Sequence, residues 1–318
     1  MKLNAASDVA DIPVICGPTA AGKSAVALWI AERIPSVVVS ADSRQVYRGF
    51  DIGTAKPSSE EQARIPHVGI DVVDPTERYS ADAWSSAADA WLEQSLNDGR
   101  VSIVAGGTGL YLRALFEGLF DEPALDPSMR AALSQHIDEF PLAELKRWVG
   151  ALDADRAHLG RTQLLRTIEI ALLTGHRISD LHRTRARTSR WRPRYLLVDP
   201  GPALAEWIAT RIESMLNHGW PDEVRRLLTS IPEDAPAWNA TGYGVVRDLV
   251  RGVRSLSETK EAILIQTRQY AKRQRTWFRH QLPTDRVTYL DPNAPDWRTT
   301  VNRWLADAGI PFAPEARA

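Results

Sequence analysis

The chain has 318 residues, 44% hydrophobic and 25% charged, with 39 basic against 40 acidic residues and a formal net charge of −1. That length carries one large domain or two modest ones, and the balanced charge excludes a uniformly basic nucleic-acid coat but not local patches. A lone cysteine, Cys16, excludes an internal disulfide and a cysteine-based zinc site, while the lack of a signal-peptide pattern or a bilayer-length apolar run points to a cytoplasmic protein with no membrane partner.

Residues 12–24 read Ile-Pro-Val-Ile-Cys-Gly-Pro-Thr-Ala-Ala-Gly-Lys-Ser, an apolar run leading into a loop. A strand over 14–16 and a helix over 25–33 flank that loop, and the helix N-terminus favours an anion. Residues 36–39 are β-branched and end in Ser-Ala-Asp-Ser, and 67–73 form another candidate strand closed by Asp74-Pro75. Helical spacing marks 80–96, with Trp84, Trp91 and Leu92. A buried strand over 101–105 then runs into Gly106-Gly107-Thr108-Gly109. Strands alternating with helices predict a parallel sheet with helices on both faces and ligands at the carboxyl ends of the strands.

The pattern changes at Asp126-Pro127, after which only helices and turns are predicted to about Arg187. A strand signature resumes over 195–198 and breaks at Asp199-Pro200-Gly201-Pro202. Helices are expected over 204–217, 222–228, 245–250 and about 257–280. The predicted fold class is α/β, a P-loop-type parallel sheet with an inserted helical domain. Residues 1–122 and 190–310 form the core, 123–189 the insertion, and 311–318 a disordered tail.

Gly17, Gly22, Lys23 and Ser24 fit the pattern G-x-x-x-x-G-K-S/T residue for residue. The glycines permit turn dihedrals that aim successive N–H groups at phosphate oxygens. Lys23 supplies a point charge to the phosphates, and Ser24 offers a hydroxyl to Mg²⁺. The strand over 101–105 ends in glycines rather than in the carboxylate that a nucleotide triphosphatase places there. Asp42 is the one acid at the end of an early strand. It serves either as a general base or metal-shell group beside a bound diphosphate, or as the cap of a following helix.

Arginine supplies most of the positive charge, in two clusters. The first holds His176, Arg177, His182, Arg183, Arg185, Arg187, Arg190, Arg192 and Arg194, with Trp191 and Tyr195. The second holds Arg268, Lys272, Arg273, Arg275, Arg279 and His280, with Tyr270, Trp277 and Phe278. Cation–aromatic mixtures suit phosphate contacts and stacking on unpaired bases; the alternative for each is a solvated helix face. Helical spacing brings Arg268, Arg275 and Arg279 near one side of a helix.

Several of these segments closely resemble the tRNA dimethylallyltransferases. They are Gly17–Ser24, Asp42-Ser43-Arg44-Gln45-Val46-Tyr47, Asp51-Ile52-Gly53-Thr54-Ala55-Lys56-Pro57 and Gly106-Gly107-Thr108-Gly109-Leu110-Tyr111. Met215-Leu216-x-x-Gly219, Gly242-Tyr243 and Tyr270-Ala271-Lys272-Arg273-Gln274-x-Thr276-Trp277-Phe278-Arg279 complete the collinear match from about Pro13 to Gln281. The resemblance implies transfer of a dimethylallyl group from dimethylallyl diphosphate to a tRNA adenine. The acceptor would be the exocyclic amine of the adenosine immediately 3′ of the anticodon, in tRNAs reading codons that begin with U.

It further implies that the loop residues Gly17, Pro18, Thr19, Ala20, Ala21, Gly22, Lys23 and Ser24 hold diphosphate with Mg²⁺, and that Lys23, Asp42, Thr108 and Arg211 are catalytic. In that scheme Asp42 is the general base and Arg211 grips the diphosphate. Asp42, Ser43, Arg44, Gln45, Thr108 and Arg130 would meet the tRNA anticodon stem-loop, as would Gln163, Arg166, Gly242, Tyr243, Lys272 and Arg273. A monomer of the bacterial type is expected. Departures from the family pattern are Gln163 in place of an arginine, and Asn239 and Gly244 in place of basic residues. They concern tRNA contact and leave the donor site intact. Two rival readings are an isopentenyltransferase acting on free adenine nucleotides and a kinase using the loop on ATP.

Overall fold

The structure is a computed structural model that describes residues 10–118, 125–184 and 189–310. The tail at 311–318 and the basic residues Arg185 and Arg187 lie outside the described residues. Two compact units emerge, one of Met1–Phe116 with Arg190–Ala318, the other of Glu117–Ser189.

In the first unit the chain runs β1 (Ala10–Cys16), α1 (Lys23–Ala31), β2 (Ser36–Ser40), α2 (Ser59–Arg64), β3 (His67–Val68), α3 (Ala81–Asn97), β4 (Val101–Gly106) and α4 (Gly109–Phe116). The second unit is helical: α5 (Pro127–Ile137), α6 (Leu142–Leu152), α7 (Arg161–Thr174) and α8 (Ile178–Thr184). The chain returns to the first unit through β5 (Trp191–Val198), α9 (Leu204–Asn217), α10 (Trp220–Leu227), α11 (Tyr243–Val250), α12 (Leu256–Gln281), β6 (Val287–Leu290) and α13 (Trp297–Asp307).

The strands form one parallel sheet in the order β3-β2-β4-β1-β5-β6. Its central strands are continuous apolar runs because helices cover both faces: Val14, Ile15, Cys16, Val39, Ile103 and Val104 are fully buried. The carboxyl ends of β1, β2 and β4 converge, so the loops that follow them share one edge. Among the described residues no helix is long and apolar enough to cross a membrane.

The structure corrects two sequence-based strands and adds elements beyond them. The strand expected over 67–73 pairs only at His67 and Val68. Gly69 turns at φ +80 against the Ser40 backbone and Asp71 sits at φ +54, so pairing returns only as the single Tyr47–Val73 bridge. The strand expected over 195–198 begins four residues earlier, at Trp191. Pro193 disguised that start, yet it is tolerated because β6 pairs only from Tyr195 onward and leaves 191–194 with an open edge. Strand β6 and helices α2, α4 and α13 carry too little periodic signal to be anticipated.

In the second unit Ile137, Leu145, Val149, Leu164 and Ile168 make a small core. Buried Asp153 accepts from the Ser179 N–H and hydroxyl at 3.0 and 2.7 Å, tying the start of α8 to the end of α6.

Candidate active site

The phosphate loop is built by close approach. Gly17 has φ +144, and a Cβ there would lie 2.2 Å from the Val198 carbonyl oxygen of β5. Ala20 adopts a left-handed φ of +62, a conformation that costs a non-glycine residue on the order of 1–2 kcal/mol. Helix α1 starts from Gly22, also left-handed, with no side-chain cap. Its first N–H groups are thereby left for an anion.

Lys23 donates to the Pro18 carbonyl at 2.7 Å, which folds its ammonium over the loop. Burial pushes that ammonium down to about 8, with Asp42 pulling it back up and Arg211 lowering it further. Burial also pulls the Arg211 guanidinium below its ordinary value, against the opposing pull of Asp42. Among the described residues neither Lys23 nor Arg211 has an ion-pair partner within 4 Å.

A cavity of about 720 Å³ opens on this loop, lined by Lys23, Ser24, Lys56, His67, Trp207 and Arg211 among others. A second, smaller cleft of about 70 Å³ lies between α9 and α12 and carries Thr19, Asp42 and Arg44 on its wall. Ala20 and Arg211 line both, so the two spaces meet there. Asp42 does not cap an α-helix, since only turns follow it. Its Oδ1 accepts the Arg44 N–H at 2.8 Å, an Asx turn that fixes the carboxylate.

Thr108 works beside Asp42. Its hydroxyl oxygen accepts the Ser43 N–H at 3.0 Å, and its own N–H donates to the Ala41 carbonyl. Burial raises the Tyr270 phenol to about 12, which keeps its proton in place. The Gln45 amide donates to the Thr54 and Ala55 carbonyls and its oxygen accepts from Ser40. That occupies both ends of its side chain in holding the 51–57 loop to β2.

Sequence reasoning missed what α12 does here. Gln274, 7% exposed, accepts the Thr19 N–H at 2.8 Å and donates to the Gly107 carbonyl at 2.9 Å, bracing the phosphate loop against the end of β4. Arg275 donates to Asp199 at 2.8 Å and to the Gly201 carbonyl at 2.7 Å, and so anchors α12 rather than standing free with Arg268 and Arg279. The signal was the motif's polarity at buried helical positions, which propensity alone does not distinguish from an RNA-facing stripe.

Another correction concerns Tyr243, which is fully buried and donates its hydroxyl to Glu223 at 2.6 Å. Its ring is therefore core and not an RNA contact. Glu223 also accepts the Asp51 and Ile52 N–H groups at 3.1 and 2.6 Å, while Lys56 bridges Asp51 and Asp71. These contacts seat the Asp51–Pro57 loop. Gly242 packs beside Trp220 and gives its N–H to Gln266.

The other tRNA candidates separate by unit. Lys272 and Arg273 are exposed on α12. Arg273 lies 5.8 Å from the Tyr270 ring and shares a polar cavity with Asn239, Gly244, Arg247 and Arg254. In the helical unit Arg130 and Arg166 both donate to Glu169, at 3.2 and 2.7 Å, and Gln163 accepts the Gly160 N–H at the start of α7. Arg190 pairs with Asp89 and Glu93, and Arg192 and Arg194 with Asp11. The described end of the first basic cluster is therefore scaffold.

No group of three or more His, Cys, Asp or Glu side chains among the described residues could hold a metal alone. The exposed Ser24 hydroxyl beside the loop fits a Mg²⁺ that keeps its waters and binds through phosphate oxygens.

A family model described as IPP transferase matches residues 45–281, and one described as isopentenyl transferase matches residues 10–71. A tRNA dimethylallyltransferase of a Synechococcus species is 39% identical over 271 residues, spanning 84% of this chain and 86% of that protein. One from Thermus thermophilus is 38% identical over 302 residues, spanning 92% and 97%. The crystal structure of a full-length tRNA isopentenylpyrophosphate transferase from Bacillus halodurans aligns with a TM-score of 0.66 at 29% identity, covering 95% of this chain and 96% of that one.

Proposed function

This chain belongs to the IPP transferase family, and from that premise we propose that it is a tRNA dimethylallyltransferase. It moves the dimethylallyl group of dimethylallyl diphosphate onto the exocyclic amine of the adenosine immediately 3′ of the anticodon, in tRNAs reading codons that begin with U. The observation that supports this most is the meeting of two spaces at Arg211. One is lined by the phosphate loop and the other by Asp42, so leaving group and base face a common point.

The allylic C–O bond breaks and its electron pair leaves on diphosphate. A C–N bond forms from the adenine amine, and the proton of that amine passes to the Asp42 carboxylate. Oδ1 of Asp42 is held by the Arg44 N–H, which leaves Oδ2 to take that proton. Lys23, Arg211 and the free N–H groups at the start of α1 take up the charge growing on the leaving oxygen, and each such contact is worth about 10²–10³ in rate. Ser24 would hold Mg²⁺, which supplies further charge neutralisation on the diphosphate when bound. Thr108 holds the Ser43 N–H, so it positions the Asp42 turn. An adenine amine is a weak nucleophile, and alignment against the allylic carbon matters as much as the base.

The polar cavity around Arg273, together with Lys272 on α12 and Arg130 and Arg166 on the helical unit, supplies the charge for the anticodon stem-loop. We further propose that the enzyme acts as a monomer in the cytoplasm. Incubation with Mg²⁺, radiolabelled dimethylallyl diphosphate and unmodified tRNA, with AMP and ATP as parallel acceptors, tests the reading. Label beside the anticodon is the expected result. Label in AMP or ATP alone identifies a free-nucleotide enzyme, and label in neither acceptor overturns the donor assignment.

A further inference from the structure

We propose that the cleft between α9 and α12 is a length gauge for the isoprenoid tail of the donor, with the Trp220 indole as its floor; this rests on the prenyl-transfer reading above. Helix α9 presents Ile208, Ile212 and Met215 on the same face as Arg211, and α12 presents Ile263 from the other side. The cleft thus has an apolar wall, faced by Asp42, Arg44, Thr241, Thr267 and Tyr270, and Arg211 stands where it joins the phosphate cavity. That polarity matches a short hydrocarbon attached to an anionic head.

Size sets the limit. On the measure by which one water needs about 10–15 Å³, a space of about 70 Å³ holds roughly five to seven groups of that size. A five-carbon tail fills that space, and a ten-carbon tail exceeds it and has to extend beyond the cleft. The floor has no slack to yield. Trp220 is 1% exposed, and its ring passes so close to Gly53 and Gly242 that a Cβ at either would lie 2.3 or 2.4 Å from it. Tyr243 meets the ring edge-on at 5.4 Å. Glu223 pins both flanks through the Ile52 N–H and the Tyr243 hydroxyl.

Among the described residues its indole nitrogen has no hydrogen-bond partner, so packing positions the ring, as suits a surface that reads shape. This gives a task to the Asp51–Pro57 and Gly242-Tyr243 segments, which the chemistry of transfer leaves unused. They seat the floor of the gauge.

The test compares dimethylallyl with geranyl diphosphate as donors to unmodified tRNA, in the unaltered protein and in Trp220→Leu, Met215→Ala and Met215→Phe. The unaltered chain should favour the five-carbon donor by about 100-fold or more in kcat/KM, and the two enlarging variants should shrink that ratio at least about tenfold. Met215→Phe, which fills the cleft, should lower kcat/KM for dimethylallyl diphosphate about tenfold while inhibition by pyrophosphate stays within about twofold. Met215 is only half-buried, so its variants carry the test if Trp220→Leu fails to fold. A donor ratio that stays fixed in every folded variant overturns the gauge. So does a rise in KM for tRNA with the ratio unchanged, which would place the base in the cleft. No dimethylallyl transfer by the unaltered chain overturns the prenyl-transfer reading first and the gauge with it.

Discussion

The phosphate site and the helical unit each gather cations, and they treat them in opposite ways. Lys23 and Arg211 are half-buried and, among the described residues, without a carboxylate within ion-pair reach; the Lys23 ammonium rests instead on the Pro18 carbonyl. Arg130 and Arg166 converge on Glu169. Burial alone would raise that carboxyl, yet the two guanidinium groups overcome it and hold it below the ordinary glutamate range. A partly desolvated cation without a counter-ion is costly, and a site that keeps two of them together favours an anion. Cations resting on an acid make no such demand.

The sharpest way to break this contrast is Asp42→Ala. It removes the one carboxylate that tempers both half-buried cations, and turnover should fall about 10²–10⁴-fold with tRNA affinity largely intact. Single-turnover rates beside a filter-binding isotherm would show it, and equal losses in both would make Asp42 structural. Arg211→Ala comes next, with a loss of about 10²–10³ in kcat/KM for the donor and a matching weakening of pyrophosphate inhibition.

A pH series sharpens the comparison further. In the empty site Lys23 titrates near 8, so below that pH it is already charged for diphosphate. Above it, binding must take up a proton. Pyrophosphate affinity by calorimetry should therefore fall up to about tenfold per pH unit beyond 8, while a flat profile would show that Lys23 stays charged. The smallest effect separates the two kinds of surface arginine. Arg273→Ala should reduce the slope of log affinity for tRNA against log salt by about one, and Arg190→Ala should leave it alone. Equal slopes for the two would erase the distinction.

The phosphate loop was legible in sequence because its glycines, lysine and serine are neighbours and their geometry is local. The parallel sheet followed from alternating apolar runs, and α9 was placed to the residue. What escaped was everything assembled from afar. Glu223 reaches the Asp51–Pro57 loop across 172 residues and Gln274 reaches Thr19 across 255. No window of sequence reveals that a glutamate in one helix seats a loop from the first third of the chain. Arg275 and Tyr243 were misread for the same cause: a charged or aromatic residue in a motif looks available until its buried partner is known. Arg190, Arg192 and Arg194 likewise looked like an RNA patch until Asp89, Glu93 and Asp11 were seen facing them.

The order of strands also has a consequence in time. β1 lies between β4 and β5, pairing with β5 from Ala10 opposite Trp191 to Cys16 opposite Leu197. The backbone oxygen that crowds Gly17 belongs to Val198. At a synthesis rate of about 5–20 residues per second, the first strand waits roughly 10–40 s on the ribosome for that neighbour to be made. The helices of Glu117–Ser189 pack on one another from nearby sequence and can close in the interval. The phosphate loop stands near the start of the chain and is among the last features to reach its working shape. Nascent chains arrested before residue 198 should consequently fail to bind pyrophosphate, however much of their helix has formed.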